Sequence, residues 1–142
     1  MESIVVGTDG SPEAEAAVER ATELAGGTGA KVHLVTAYPD VPSYRERITS
    51  SAKREPIELR DVAETLLARA VDKLSGEGIE VETHARDGDP AQVILEVAQE
   101  QKADLIVVGN RGLTGIERFL LGSVSSKLSH HAPCSVMIVR RS

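Results

Sequence analysis

Two glycine-containing segments near the end of this 142-residue chain carry the residue types best suited to chemistry. Gly109 and Gly112 directly follow a short apolar run rich in β-branched residues, and Gly122 and Ser123 come nine residues later. Glycines permit sharp turns and let backbone N–H groups approach a ligand closely. Residues 110–128 contain a single acidic side chain. Exposed amides and hydroxyls without acidic neighbours, placed directly after a buried strand, are typical of a phosphate-binding site.

A purely structural role for these glycines is the alternative interpretation. They would then form only tight turns and helix ends. The same segment also contains the hydroxyl groups of Ser123, Ser125 and Ser126 and the cations Arg111 and Lys127, which favour a bound anion. On the residues alone, both interpretations stay open.

A second polar turn, residues 8–11, follows the first apolar run of the chain. The helix expected after it begins with Glu13 and Glu15, which satisfy the positive end of that helix and repel phosphate. The turn is therefore expected to bind another part of a ligand. Asp9 would accept hydrogen bonds from ribose hydroxyls or an adenine amino group. Alternatively, Asp9 only caps the helix.

Apolar periodicity and turn residues predict alternating strands and helices. The predicted strands are residues 3–6, 31–37, 79–85, 104–108 and 135–139. The first predicted helix begins at Ser11 and Pro12 and is ended by Gly26, Gly27 and Gly29. The second begins near Pro56, includes Val62 in its apolar stripe and ends at Gly76 and Gly78. The third begins at Asp89 and Pro90, and the fourth spans 116–130. This alternation predicts an α/β protein with an open, parallel, five-stranded sheet and helices on both faces.

Two of these strands have the composition of sheet edges. Strand 79–85 alternates apolar residues with Glu80, Glu82 and His84, which are expected to point outward and to discourage unwanted pairing. The last strand, Ser135 to Val139, is apolar on both faces. Pairing with a second copy of the chain would cover its open edge, which predicts a homodimer. The polar segment 38–55 is interpreted as a lid or a mobile insert, with the insert favoured.

The spacing Gly-x2-Gly-x9-Gly-Ser, formed by Gly109, Gly112, Gly122 and Ser123, resembles the nucleotide-binding signature of the universal stress protein family. Segments 5–11 and 134–139 are also similar to that family. The resemblance implies a Rossmann-like, adenine nucleotide alpha hydrolase-like fold with strand order 3-2-1-4-5 and one domain over residues 1–142. It also implies dimerisation through the last strand.

The resemblance further implies which residues bind the nucleotide. Positions that match adenosine-binding residues are Asp9, Ser11, Ala37 and Tyr38. Those that match the phosphate-binding stretch are Gly109, Arg111, Gly112, Gly122, Ser123 and Val124. Thr8, Gly10, Val108 and Ser125 complete the expected nucleotide-binding set.

The expected ligand is ATP, with or without Mg²⁺, and the expected role is a stress-response sensor or regulator rather than an enzyme. No general base or nucleophile is evident. Any Mg²⁺ would take its oxygens mainly from phosphate, water and hydroxyls. Slow ATP hydrolysis or self-phosphorylation on Ser123 or Ser125 stays open. The alternatives are a cyclic AMP binder and a nucleotide-hydrolysing or adenylyl-transferring enzyme of the same fold.

Composition argues against other classes. A net charge of −6 without a basic stretch argues against a nucleic-acid partner. The single Cys134, the lack of a leader and the lack of a run of ~20 apolar residues predict a cytoplasmic protein without a membrane span. The P-loop, dinucleotide-binding and nucleophile-elbow motifs are missing. The four histidines lack metal-ligand spacing, so no metal site is predicted. A phospho-receiver domain remains a weak rival, with Asp87 and Asp89 following the third strand.

Overall fold

The computed structural model describes residues 1–39, 59–74, 76–110 and 122–141, in which strands and helices alternate. The strands are β1 (Ser3–Gly7), β2 (Lys31–Tyr38), β3 (Val81–Asp87), β4 (Leu105–Gly109) and β5 (Ser135–Val139). The helices are α1 (Pro12–Thr28), α2 (Leu59–Leu74), α3 (Pro90–Glu100) and α4 (Ser123–His131). The strands form one parallel sheet in the order β3-β2-β1-β4-β5, which confirms the predicted α/β class and strand order.

The centre of the sheet is β1, which pairs with β2 on one side and β4 on the other. Val5 aligns with His33 of β2 and with Ile106 of β4. Val5 and Ile106 are both fully buried, as a central parallel strand requires. The sheet extends from β1 to β2 and β3 on one side and to β4 and β5 on the other, so the strand order reverses at β1.

Helices cover both faces of this sheet, as predicted. On one face, Val6 packs with α1 and with Leu67 of α2 in a single apolar cluster. On the other, Val5 packs with Val97 of α3 and Leu128 of α4. Because successive side chains of a strand point to opposite faces, adjacent residues of β1 belong to different clusters.

Helix α1 begins as the sequence predicts but ends later. Ser11 is the N-cap, and its side chain accepts the Ala14 N–H. The expectation that Gly26 and Gly27 help to end the helix is wrong, since both lie inside it. The termination occurs at Gly29, which takes the left-handed conformation with φ 77° and donates its N–H to the Ala25 carbonyl. A left-handed glycine of this kind is a common way for a helix to end.

The second helix and third strand also depart from prediction. Val62 of α2 is 53% exposed and is not part of the buried stripe. The buried residues of this helix are Ala63, Leu67 and Leu74. β3 starts at Val81, two residues late, and is the edge strand as expected. His84 does not point into solvent but is half-buried against β2.

Several expectations fall on residues that the structure does not describe. These are most of the segment 38–55, the start of the second helix near Pro56, and the beginning of the fourth helix at 116–121. Among the described residues, no helix combines the length and apolarity that crossing a membrane requires.

Candidate functional site

A cleft of about 270 Å³ lies at the carboxyl ends of β1 and β4, where the strand order reverses. Open α/β sheets bind their ligands at such switch points. Eight of the sequence-predicted site residues line this cleft: Thr8, Asp9, Ala37, Val108, Gly109, Ser123, Val124 and Ser125. Gly10, Tyr38 and Gly122 are adjacent in the chain to lining residues, and Ser11 lies two residues after Asp9; none of these four lines the cleft itself. Arg111 and Gly112 fall outside the described residues.

The loop after β1 is held in shape by its own hydrogen bonds. The Asp9 Oδ1 accepts the Ser11 N–H at 2.8 Å, and the Thr8 Oγ1 accepts the Gly10 N–H at 3.2 Å. Gly10 has φ 80°, a conformation that favours glycine. The Thr36 hydroxyl donates to the Thr8 carbonyl at 2.6 Å, which ties the loop to β2. The helix cap is Ser11, so Asp9 shapes the turn before the cap.

On the opposite wall, α4 presents its N-terminus without a side-chain cap. Gly122 is the N-cap, and its carbonyl accepts the Ser126 N–H at 2.9 Å. The next N–H groups, those of Ser123, Val124 and Ser125, belong to the first turn, which an α-helix leaves without intrahelical acceptors. The first turn carries no acidic residue. This end of α4 therefore has the partial positive charge that attracts an anion.

The N-terminus of α1 contrasts with that of α4. Ser11 caps it, and Glu13 and Glu15 stand in its first turn. Glu15 pairs with Lys73 at 2.7 Å, and Glu13 lies 4.0 Å from Arg141. Two acids in the first turn make α1 a poor phosphate site, as the sequence indicates.

Gly109 has a structural reason for being glycine. A Cβ at this position would lie 2.8 Å from the carbonyl oxygen of Glu13, so α1 approaches the end of β4 too closely for any side chain. Such a contact is shorter than real Cβ atoms tolerate. The structural interpretation of the glycines is therefore correct for Gly109, although this residue also lines the cleft.

The sequence did not identify the third wall of the cleft. Asp89 and Pro90, at the start of α3, line the cleft, together with Ile94. Asp89 Oδ2 accepts the Gln92 N–H at 3.1 Å, and Oδ1 lies 3.6 Å from the Lys127 ammonium. Parallel strands all end at one edge of the sheet. The turn after β3 could therefore have been expected beside the turns after β1 and β4.

A larger groove of about 1270 Å³ runs between α1 and α2. Its walls are mainly helix side chains, including the charged Glu15, Asp61, Arg69 and Lys73. It reaches Thr8, Asp9 and Gly10 only at one end and contains none of the α4 residues. The smaller cleft combines the switch point and the open helix N-terminus, so it is the candidate site.

The fold and this cleft define an open, parallel α/β protein with a candidate site at the topological switch point. The sequence profile of the universal stress protein family matches residues 1–140. A relative from Staphylococcus aureus (strain USA300), provisionally named a universal stress protein, is 36% identical over 145 residues, which cover 97% of this chain and 83% of the relative. The chain belongs to the universal stress protein family.

Solved structures agree with this assignment. A universal stress protein in complex with cAMP is 34% identical, has a TM-score of 0.75 and is matched over 99% of this chain and 98% of its own. The universal stress protein from Archaeoglobus fulgidus in complex with dAMP is 28% identical, with a TM-score of 0.72 and 97% of both chains covered.

Proposed function

We propose that this chain binds an adenine nucleotide, ATP foremost, in the cleft at the switch point and acts as a stress-response sensor or regulator. The observation that carries the proposal is the uncapped, acid-free N-terminus of α4 facing the cleft. It supplies the amides of Ser123, Val124 and Ser125 to the phosphates. Two relatives above 25% identity were solved with cAMP and dAMP, which supports an adenine nucleotide as the ligand.

The other side of the cleft suits the adenosine. Val35, Ile94 and Val108 provide apolar walls for a flat base, and Asp9 provides a carboxylate for hydroxyl or amino donors. Ligand pockets typically combine apolar walls with a few placed polar groups in this way. The phosphates then lie toward the N-terminus of α4.

The groups available in the described part of the cleft support a regulatory rather than a catalytic role. Among the described lining residues the ionisable side chains are Asp9 and Asp89, and both carboxylates already accept backbone N–H groups. The Ser125 hydroxyl donates to the Gly109 carbonyl, which leaves the exposed Ser123 as the better candidate for self-phosphorylation. A Mg²⁺ ion would draw its ligands from phosphate and water oxygens, with Asp9 and Asp89 close to the cleft.

Isothermal titration calorimetry with ATP, AMP, cyclic AMP and adenosine, with and without Mg²⁺, tests the proposal. In a Gly112→Val/Gly122→Val variant we expect ATP binding to be lost. Ser123→Glu is the sharper test, because an acid in the first turn stabilises α4 yet repels phosphate. It should weaken ATP strongly, leave adenosine nearly unchanged and keep the melting temperature.

The neutral control is Ser123→Ala, which retains the backbone amides and should bind ATP almost as well as the wild-type protein. Equal loss of adenosine and ATP in Ser123→Glu would contradict a phosphate site at α4. A preference for cyclic AMP would support the second candidate function, a cyclic nucleotide sensor, which the 34% identical cAMP complex favours. Failure to bind any of the four ligands would overturn the proposal.

We also propose that the protein is a cytoplasmic homodimer joined through β5. In the described part of the chain, β5 pairs with β4 alone, and its Val136, Met137 and Ile138 are half-buried. Pairing with the β5 strand of a second copy would give hydrogen-bond partners to the backbone groups at this edge. Light scattering at micromolar concentration should give twice the 15.1 kDa chain mass. Val136→Glu should give monomers, whereas Val62→Glu on the exposed side of α2 should not. A monomeric wild-type protein would contradict this.

A further inference from the structure

A second group of chemically capable side chains lies at the β2–β3 edge, away from the nucleotide cleft. His33 Nδ1 is 3.0 Å from His84 Nε2 and 3.6 Å from Glu82 Oε2. One ligand atom from each of the three residues lies within 4.8 Å of the others. None of the three lines the cleft or the larger groove.

The sheet register produces this cluster. His33 aligns with Glu82, and Val35 aligns with His84. Residues two apart on a strand point to the same face, so Glu82 and His84 lie together beside His33. The sequence pattern did not reveal this group, because His33 and His84 are 51 positions apart in the chain.

We propose that His33, Glu82 and His84 bind a transition-metal dication, with Zn²⁺ as the preferred ion. Two imidazoles and one carboxylate are a common donor set for zinc with an open coordination position. With bond lengths of about 2.0–2.1 Å, tetrahedral geometry places ligand atoms about 3.3 Å apart. The two separations from His33 Nδ1, 3.0 Å to His84 Nε2 and 3.6 Å to Glu82 Oε2, lie on either side of that value, and the third pair of ligand atoms lies within 4.8 Å.

The three residues differ in burial, so the site has one rigidly held ligand and one ligand that solvent can reach. The His33 side chain is 3% exposed and is held firmly by the sheet, whereas that of Glu82 is 44% exposed. His84 lies between these extremes. An ion can therefore enter past the carboxylate, and water can occupy the remaining coordination position.

The protonation states suit metal binding. Burial, with a smaller contribution from the neighbouring His84, lowers the pKa of His33, and burial likewise lowers the pKa of His84. A hydrogen bond from Lys31 lowers the pKa of the Glu82 carboxyl. Near neutral pH the rings are uncharged and the carboxylate is ionised, as a metal requires. One of the two rings donates the hydrogen bond between His33 Nδ1 and His84 Nε2. For both of these nitrogens to bind the metal, that ring only has to change tautomer, so that its proton is on its other nitrogen.

One cation already competes for this site. The Lys31 ammonium lies 2.9 Å from Glu82 Oε2 and 3.6 Å from Glu80 Oε1. A bound metal would share Glu82 with Lys31 or move Lys31 toward Glu80. On the inner side, Arg86 pairs with Glu100, so these two charges largely offset each other beside His84. Lys31 is not a metal ligand itself, but its competition for Glu82 is expected to lower the metal affinity.

Zinc titration of the full chain after chelator dialysis, followed by calorimetry and by competition with a chromophoric chelator, tests the site. We expect one Zn²⁺ per chain and a higher melting temperature with the metal. Co²⁺ in place of Zn²⁺ should give the intense visible absorption of tetrahedral coordination. His84→Gln should lower the affinity by about 10–100-fold or more. Lys31→Gln should raise it, because it removes the competing charge.

The matched control is His130→Gln/His131→Gln, which deletes the other pair of neighbouring histidines in the described residues, at the exposed end of α4. It should bind Zn²⁺ like the wild-type protein. Circular dichroism of each metal-free variant separates loss of the site from loss of the fold. The proposal is wrong if folded His84→Gln binds Zn²⁺ as tightly as the wild type, if the control variant loses the binding, or if the wild-type protein takes up no Zn²⁺.

Discussion

The Ser125 hydroxyl donates a hydrogen bond to the Gly109 carbonyl oxygen at 2.9 Å. Ser125 is only 2% exposed, so this bond forms away from water. It joins the first turn of α4 to the last residue of β4, the two elements that carry the proposed phosphate site. Together with the Gly122 N–H, which donates to the Asn110 carbonyl at 3.2 Å, this buried side chain helps to fix the helix N-terminus relative to the cleft.

Ser125→Ala should destabilise the fold by about 1–3 kcal/mol, because it leaves the Gly109 carbonyl without this buried donor. Urea denaturation followed by circular dichroism measures the change. Ser129→Ala is the matched control on the same helix, since the Ser129 hydroxyl is exposed and its partners, the Ser126 carbonyl and His130 Nδ1, are both local and exposed. Its effect should stay within about 0.5 kcal/mol. Equal effects from the two variants would show that the Ser125 bond contributes nothing special.

Gly109→Ala should destabilise by about 1–3 kcal/mol, because the new methyl group would overlap the Glu13 backbone. Gly27→Ala is the opposite case. Gly27 lies inside α1, and a methyl group there would have open space around it, so alanine should stabilise by about 0.5–1 kcal/mol. Thermal denaturation of the two variants checks both signs. A neutral Gly109→Ala would mean that α1 can shift away from β4 at little cost.

Asp9 can be tested for its two roles separately. Asp9→Asn keeps an oxygen that can accept the Ser11 N–H, whereas Asp9→Ala removes it. We expect Asn to preserve stability and Ala to cost about 1 kcal/mol. If Asp9 also accepts hydrogen bonds from the adenosine, Asn should weaken AMP binding about fivefold, since charged acceptors bond more strongly. Unchanged AMP affinity in both variants would restrict Asp9 to shaping the turn.

The buried His33 and the half-buried His84 predict how stability depends on pH. His33 and His84 have pKa values below the ordinary value, mainly because burial disfavours the charged ring. In the unfolded chain both should titrate near pH 6.5, so below that pH the unfolded state binds more protons. The free energy of unfolding should therefore fall as the pH is lowered from about 7.5 to about 5.5, in metal-free protein.

Urea denaturation at several pH values measures this slope. His84→Gln should reduce it, and the exposed His131→Gln serves as the matched control. The carboxyls of Glu82, Glu100 and Asp104 have lowered pKa values, so their contributions are lost only at more acidic pH and do not obscure the histidine range. A stability that stays flat across that range would contradict the prediction.

Much of the architecture was predictable because its signals are local. The Ser11 cap, the Asp89–Pro90 helix start and the β-branched runs of β1 and β4 depend on residues within one turn or strand. The helix end at Gly29 was less predictable, because Gly26, Gly27 and Gly29 are all close to it in the sequence. Only the positive φ of Gly29 identifies it as the terminating residue. The exposure of Val62 likewise depends on which part of α2 packs against the sheet.

By itself, the sequence determined the alternating α/β class, the two polar turns after β1 and β4, and the contrast between the acidic start of α1 and the acid-poor segment after β4. These properties follow from residue type and short spacing. Only the tertiary structure decided that α1 approaches Gly109 too closely for a side chain, that Asp89 joins the cleft, and that His33 lies against Glu82 and His84. Those contacts arise from strand register and helix packing between residues far apart in the chain, which no local pattern encodes.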